Sequence, residues 1–190
     1  MGVFRIDVED LHWLENMDEC EDLCLHGHAR AEIGNDVLEY EATVSATALY
    51  LLKTLTGDHL IYEDNQMLPC CGFFYIADEA CENVVISGCP NGIDWTVLHE
   101  GEKVRLIIDS GKEEIISLEE YRGEVFKFAD KIEAFYKNSL PKKIPEDEFE
   151  KNGYLAFWNE WHRRRNALFF NKARNESKQD AIVQRQKNNP

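Results

Sequence analysis

Residues 25–44 read LHGHARAEIGNDVLEYEATV, and this stretch carries the strongest structural signal in the chain. Apolar or small side chains occupy alternate positions on both sides of Gly34-Asn35. A period of two residues is typical of a strand with one apolar and one polar face. Gly-Asn supplies the positive φ values of a tight turn. The stretch therefore predicts an antiparallel β-hairpin with one buried face and one wet face.

Short alternating segments continue this pattern outward from the hairpin. Strands are expected at 4–8, 94–99, 104–108 and 113–117, with glycine-bearing turns between the last three. A helical stripe of apolar residues between 45 and 55 interrupts the strands. The fold class predicted from these elements is α+β: an antiparallel, mostly meander sheet with helices packed on one face and a C-terminal helical extension.

The sequence also predicts two long helices in its second half. Ser117-Leu118-Glu119-Glu120 reads as a capping box, and an apolar stripe from Tyr121 to Phe135 follows it. Pro141 and Pro145 then break the chain. The expected organisation is an α+β domain over 1–140, a C-terminal helix over 146–175 packed on the body or on a partner, and a polar, frayed tail over 176–190.

The charge of the chain is divided by position. Up to Glu160 there are 34 acidic and 13 basic side chains, a net charge of −21. From Trp161 to Pro190 there are 8 basic and 2 acidic side chains, a net charge of +6. An acidic body repels nucleic acid and anionic membranes over a Debye length of about 8–10 Å, and it attracts basic proteins. We therefore expect a basic protein partner, with no nucleic acid and no membrane.

The start of the chain does not read as a signal peptide, and no segment approaches the roughly 18 apolar residues of a membrane span. A cytoplasmic protein is the expectation. The six cysteines are then expected to be free thiols rather than disulfides.

The most metal-like local group is Cys20, Cys24, His26 and His28. Thiolate and imidazole ligands suit a tetrahedral Zn²⁺ site. However, all four lie within nine residues, whereas structural zinc sites usually pair a cysteine knuckle with a second, more distant one. Two thiols near an acidic loop and two histidines on the wet face of a strand are the simpler interpretation. The sequence therefore predicts no metal and no cofactor, with these four as the candidates if a metal is bound.

A second group of candidates lies in two turn-rich loops. Cys70, Cys71 and Cys89 could meet in space, and with His59 or His99 and Asp94 they could form a cysteine nucleophile with its base. No recognised signature of a cysteine enzyme flanks them, and cysteine is among the most buried residue types. The expectation is a non-enzymatic protein, with a Cys/His-dependent metal-binding protein or a cysteine enzyme as the alternative.

Between Tyr154 and Arg165, four aromatic residues are followed directly by His162 and three arginines. Three interpretations stay open for this segment. It could stack on nucleic-acid bases, it could pack its aromatic face on the acidic body, or it could dock another protein, including a second copy of the chain as a homodimer. The negative charge of the body favours the second interpretation over the first.

Three segments carry a resemblance to known proteins: Leu68-Pro69-Cys70-Cys71-Gly72, residues 87–95 (SGCPNGIDW) and Phe157-Trp158-Asn159-Glu160-Trp161. With its size, acidity and α+β pattern, the chain resembles small acidic bacterial proteins that include the immunity proteins of toxin systems. The resemblance implies an interaction protein that neutralises a toxin, and it assigns no functional residue.

The predicted function is therefore that of an acidic interaction protein which binds a basic protein partner. Charge complementarity would speed association and make it sensitive to salt. The acidic residues expected to make the contact are Glu39, Glu41, Glu63, Asp64, Glu100 and Glu102.

Overall fold

A computed structural model describes the backbone of residues 3–62, 65–72 and 74–187, and the side chains of those residues up to 167. The strands and helices are β1 (Phe4–His12), β2 (His26–Ile33), β3 (Asp36–Thr43), α1 (Val44–Lys53), β4 (Leu68–Pro69), β5 (Phe74–Ala77), β6 (Val84–Ser87), β7 (Gly92–Ile93), β8 (Trp95–Glu100), β9 (Lys103–Ile108), β10 (Glu113–Ser117), α2 (Leu118–Asn138) and α3 (Glu148–Lys187).

The strands pair antiparallel in two sheets and two short ribbons. One sheet has the order β1-β2-β3, and the other has the order β10-β9-β8. The ribbons are β4 with β7 and β5 with β6. The predicted α+β fold with its C-terminal helix is confirmed. The hairpin between β2 and β3 turns at Gly34, whose φ of 62° is a left-handed conformation that glycine adopts without strain.

The core lies between these sheets and the helices α1 and α2. Helix α1 is buried along nearly its whole length, so apolar residues surround it on most sides. The predicted capping box opens α2, where the backbone N–H of Glu120 donates to Ser117 Oγ over 3.1 Å. The stripe that follows is buried, and Tyr121 packs on Phe4 with ring centroids 4.9 Å apart.

Helix α3 lies against β5 with almost no space between the two backbones. A Cβ at Gly153 would collide with the carbonyl oxygen of Tyr75, so only glycine permits this approach. The rings of Tyr75 and Phe157 stack 4.9 Å apart, and Trp161 is fully buried. The aromatic face of the helix thus packs on its own chain.

Two boundaries differ from the sequence-based expectation. Strand β1 extends to His12 and pairs with β2 across a register shift, beyond the alternating segment 4–8. The backbone of α3 runs to Lys187, past the expected helix end near 175. A frayed end over 176–190 stays a prediction, and 188–190 lie outside the described residues. None of the helices in the described part of the chain is both long and apolar enough to cross a membrane.

Candidate functional site

Two loops lie side by side next to the start of α3: the loop that follows β1 and the loop that joins α2 to α3. The backbone N–H of Lys143 donates to the carbonyl of Cys20 over 2.7 Å, and that of Leu140 donates to Glu19 Oε1 over 2.8 Å. The ammonium of Lys143 also pairs with Glu21 over 3.0 Å. These contacts fasten the two loops together.

A cleft of about 330 Å³ opens between these loops, α3 and β5. Three of its lining side chains are large, apolar and about half exposed: Met17 at 49%, Phe74 at 60% and Phe149 at 51%. Its other lining residues are Leu14, Glu21, Asp22, Leu23, Cys24, Tyr75, Pro145 and Glu150. The cleft therefore presents exposed apolar side chains together with carboxylates.

The two chain segments beside the cleft are strongly acidic. Segments 13–24 and 140–151 together carry nine acidic side chains and three lysines. The acids are Glu15, Asp18, Glu19, Glu21, Asp22, Glu146, Asp147, Glu148 and Glu150. We call the cleft and these bordering segments the acidic groove.

The carboxylates of the acidic groove differ in what they do. Asp22 is buried, and its oxygens accept hydrogen bonds from the backbone N–H groups of Leu14 and Cys24 over 2.8 and 3.0 Å. This carboxylate holds the loop in shape. By contrast, Asp18 and Glu150 are exposed and form no ion pair with any described side chain. Such carboxylates keep their charge available to a partner.

Two of the acids expected to bind a partner already have cationic neighbours. Glu39 Oε1 is 2.8 Å from Arg30 Nε, and Glu100 Oε1 is 2.7 Å from Arg105 Nε. The hydrogen bond from Arg105 lowers the pKa of the Glu100 carboxyl. Both carboxylates are partly neutralised within the chain.

The other expected acids are spread over the surface. Glu41 lies 3.7 Å from His28 across the β2–β3 pair, and Glu102 is exposed in the turn between β8 and β9. Glu63 and Asp64 lie outside the described residues. None of the four acids that the structure describes, on β3 or at the β8–β9 turn, lines the acidic groove.

The two cysteine-bearing loops meet. The sulfur atoms of Cys70, Cys71 and Cys89 all lie within 4.8 Å of one another, and each residue is half-buried. His99 instead bonds through its Nδ1 to Asp58 over 2.9 Å. Within the described part of the chain, no histidine or carboxylate joins the three thiols at that range. The site has the composition of a soft-metal site rather than of a Cys/His nucleophile pair.

The four residues of the local metal candidate do not converge. Cys24 is buried and donates to the carbonyl of Gly72 over 3.3 Å, and burial raises the pKa of its thiol to about 12. Burial lowers the pKa of His26, whose Nε2 finds no hydrogen-bond partner among the described residues. Cys20 is half-buried, and His28 lies beside Glu41. Across the described residues, only the three clustered thiols form a group of three or more potential ligands.

No protein-family model, no curated protein and no solved structure matches this chain.

The sequence contained a signal for the acidic groove that single acids did not reveal. An acidic block containing Met17 precedes the hairpin, and a second acidic run containing Phe149 opens α3. Apolar residues inside acidic runs are candidates for exposed apolar contacts. What the sequence could not show is that the two runs meet, because the joining contacts of Lys143 and Leu140 span more than 120 residues.

Proposed function

We propose that this protein is an acidic binding protein whose acidic groove docks a basic, amphipathic segment of a partner protein. One observation carries the proposal. Met17, Phe74 and Phe149 are exposed together in a cleft whose bordering segments carry nine acidic side chains against three lysines. Apolar side chains grouped in this way mark interaction sites more often than scattered ones do.

The chemistry of the groove selects the partner. Covering the exposed parts of the two phenylalanines and Met17 would contribute about 1 kcal/mol each, because full burial of such a side chain contributes roughly 1.5–3 kcal/mol. The surrounding carboxylates add long-range attraction and repel anionic surfaces. A segment with apolar side chains on one face and lysines or arginines beside them satisfies both features.

The protein family that the sequence resembles suggests one specific form of this function, the neutralisation of a basic toxin by an immunity protein. We place this activity in the cytoplasm, where six free thiols persist because the compartment is reducing. A homodimer through α3 is a separate proposal. Because Phe157 and Trp161 are buried against the chain itself, such a dimer would have to use the opposite face of the helix.

The proposal can be tested with a synthetic amphipathic helical peptide built from lysine and leucine. We expect this peptide to bind at low salt and to weaken steadily as salt is raised. A lysine/serine peptide of equal charge lacks the apolar side chains, and a glutamate/leucine peptide lacks the positive charge. Each should bind at least about tenfold more weakly, because the groove requires both properties. Isothermal titration measures the three affinities.

Variants of the protein locate the binding site. The double substitution Asp18→Lys with Glu150→Lys reverses two groove charges and should weaken the lysine/leucine peptide by about tenfold or more at low salt. The matched control is Glu102→Lys with Glu119→Lys, which changes the net charge equally at two exposed positions away from the groove. Equal losses of affinity in both variants would show that only the net charge of the protein matters. A loss confined to the control would place binding at the β8–β9 turn instead.

A further inference from the structure

The three clustered cysteines are held by two loops that are joined at several points. Strands β4 and β7 pair Leu68 with Ile93, and the backbone N–H of Cys70 donates to the carbonyl of Asn91 over 2.9 Å. Gly88, in the loop of Cys89, lies so close to the other loop that a Cβ on it would collide with the carbonyl of Cys71. These contacts fix the positions from which the sulfur atoms project.

The sulfur atoms are close to the separation that a metal ion requires. In a tetrahedral site with Zn–S bonds of about 2.3 Å, neighbouring sulfurs lie about 3.8 Å apart. Here all three lie within 4.8 Å of one another. Small rotations about the Cα–Cβ bonds would close the difference. The backbone N–H of Cys89 also donates to the sulfur of Cys71 over 3.0 Å, which ties together one residue from each loop.

We propose that Cys70, Cys71 and Cys89 form a three-thiolate binding site for a thiophilic d¹⁰ metal cation, Zn²⁺ or Cu⁺. Three sulfur ligands satisfy the preference of Cu⁺ for soft donors. For Zn²⁺ they supply three of four ligands and leave one position for solvent or a substrate group. The cluster consists of sulfur ligands alone. Hard cations such as Mg²⁺ prefer oxygen ligands, so we expect them not to bind here.

A purely structural role explains these cysteines less well. Cys24 shows what a packed cysteine looks like in this protein, since it is buried and its thiol donates to a backbone carbonyl. The three clustered cysteines are half-buried instead, and their sulfur atoms lie within 4.8 Å of one another. Accessible thiols that face each other from two fixed loops can be reached by an ion from solvent.

Metal binding to the three thiols is coupled to the release of their protons. The hydrogen bond from the backbone N–H of Asn91, with those from the other two thiols, lowers the pKa of Cys89. Hydrogen bonding to Cys89 raises the pKa of Cys70, and burial raises that of Cys71. Binding of the cation displaces the protons that remain on the three sulfurs and releases them to solvent, with no change of oxidation state. Metal affinity should accordingly rise with pH.

The test uses the full-length protein, reduced and freed of metal, in competition with a chromophoric chelator. We expect one equivalent of Zn²⁺ to bind, and one equivalent of Cu⁺ under anaerobic conditions, with Mg²⁺ having no effect. The relative affinities then tell which cation the site prefers. Cys89→Ser should weaken binding by about 100-fold or more, because loss of a ligand exceeds the 10–100-fold cost of losing an outer-shell contact. Cys20→Ser is the matched control, since Cys20 is also half-buried but lies outside the cluster.

Alkylation of the unsubstituted protein gives a second measurement that does not depend on how a variant folds. Bound metal should protect Cys70, Cys71 and Cys89 from iodoacetamide and leave Cys20 as reactive as before, as read by mass spectrometry of the peptides. Equal affinities in Cys89→Ser and Cys20→Ser, or no protection of the three thiols, would overturn the proposal. So would a reduced protein that binds neither cation yet forms a disulfide between Cys89 and one of the other two on exposure to air.

Discussion

Glu160 and the carboxylates of the acidic groove are the same chemical group in opposite situations. Glu160 is 1% exposed, and its oxygens contact Lys53 Nζ over 3.4 Å, Arg164 Nε over 2.8 Å and the backbone N–H of Val84 over 2.8 Å. Glu150 lies about three turns earlier on the same helix, exposed and without an ion pair to any described side chain. One carboxylate joins α3 to α1 and β6, and the other is free to meet a partner.

This difference shows that a large negative charge does not by itself define a binding surface. Some of the acids in the body are consumed by internal contacts, as Glu160 and Asp22 are. Only the acids that stay exposed beside apolar side chains have both the charge and the contact area that docking requires. Position relative to the core decides which role a carboxylate takes.

The largest effect is expected at Glu160. Replacing it with glutamine leaves Lys53 and Arg164 without their buried counter-charge, and such losses cost about 3–5 kcal/mol of the free energy of unfolding. We expect Glu160→Gln to lower stability by about 3 kcal/mol, toward the smaller end of that range. Urea denaturation followed by circular dichroism measures it. Glu150→Gln is the control and should change stability by less than about 0.5 kcal/mol. Similar values for the two variants would show that Glu160 does not stabilise the packing of α3 on α1 and β6.

Gly153 tests how closely the middle of α3 packs on β5. Alanine at this position would push its Cβ into the carbonyl of Tyr75, so Gly153→Ala should destabilise the protein by about 1–3 kcal/mol. Gly123 on α2 has open space around it, and there the gain in helix propensity should stabilise the protein by up to about 1 kcal/mol. Thermal unfolding of both variants gives the two signs. Stabilisation by Gly153→Ala would contradict the close packing of α3 on β5.

Phe149 tests the apolar part of the acidic groove. Because its side chain is about half exposed, Phe149→Ser should reduce the free energy of unfolding by less than about 1 kcal/mol. The same substitution should weaken the lysine/leucine peptide by roughly fivefold, since it removes apolar contact area from the groove. Phe157→Ser is the contrasting variant, because Phe157 is fully buried and its loss should cost about 3–5 kcal/mol. A stability loss without a binding loss at Phe149 would assign that residue to the core.

The smallest effect on stability is expected at His26, and it depends on pH. Burial lowers the pKa of this imidazole in the folded state, so below the unfolded value of about 6.5 the unfolded chain binds the additional proton. The stability that the neutral His26 contributes to the folded state is therefore complete above about pH 6.5, and it is lost as the pH falls toward the folded-state pKa. This loss cannot exceed about 1.4 kcal/mol per pH unit. His26→Gln should make the decline in stability between pH 7 and 5.5 shallower.

His28→Gln is the control for this measurement, because His28 lies two residues along the same strand and is more exposed. Denaturation curves at several pH values give the slopes. An unchanged slope in His26→Gln would contradict the assignment of this pH dependence to the buried ring.

Much of the fold followed from local patterns in the sequence. The turn at Gly34-Asn35 and the capping box at Ser117 depend on residues a few positions apart, so the sequence alone predicted both. The close approach of Gly153 to Tyr75 was not predictable in this way. It depends on the placement of β5 against α3, two elements separated by more than 70 residues.

For the two candidate sites, too, the sequence showed the local features but not the long-range contacts. The sequence named Cys70, Cys71 and Cys89 as residues that could meet, because turn-rich loops surround them, but their distances depend on the pairing of β4 with β7. The acidic groove was not predictable from the sequence, because the contacts that bring its two acidic segments together span more than 120 residues. Charge is visible in a sequence, whereas the exposure of neighbouring apolar side chains is a property of the fold.

Hydrogen exchange during binding of the lysine/leucine peptide tests the docking groove most directly. We expect slowed backbone exchange in 14–24, 74–75 and 145–150, with the strands that carry Glu39 and Glu100 unchanged. Slowed exchange centred on 36–43 or 95–103 instead, or saturating binding with no change in the groove segments, would contradict it.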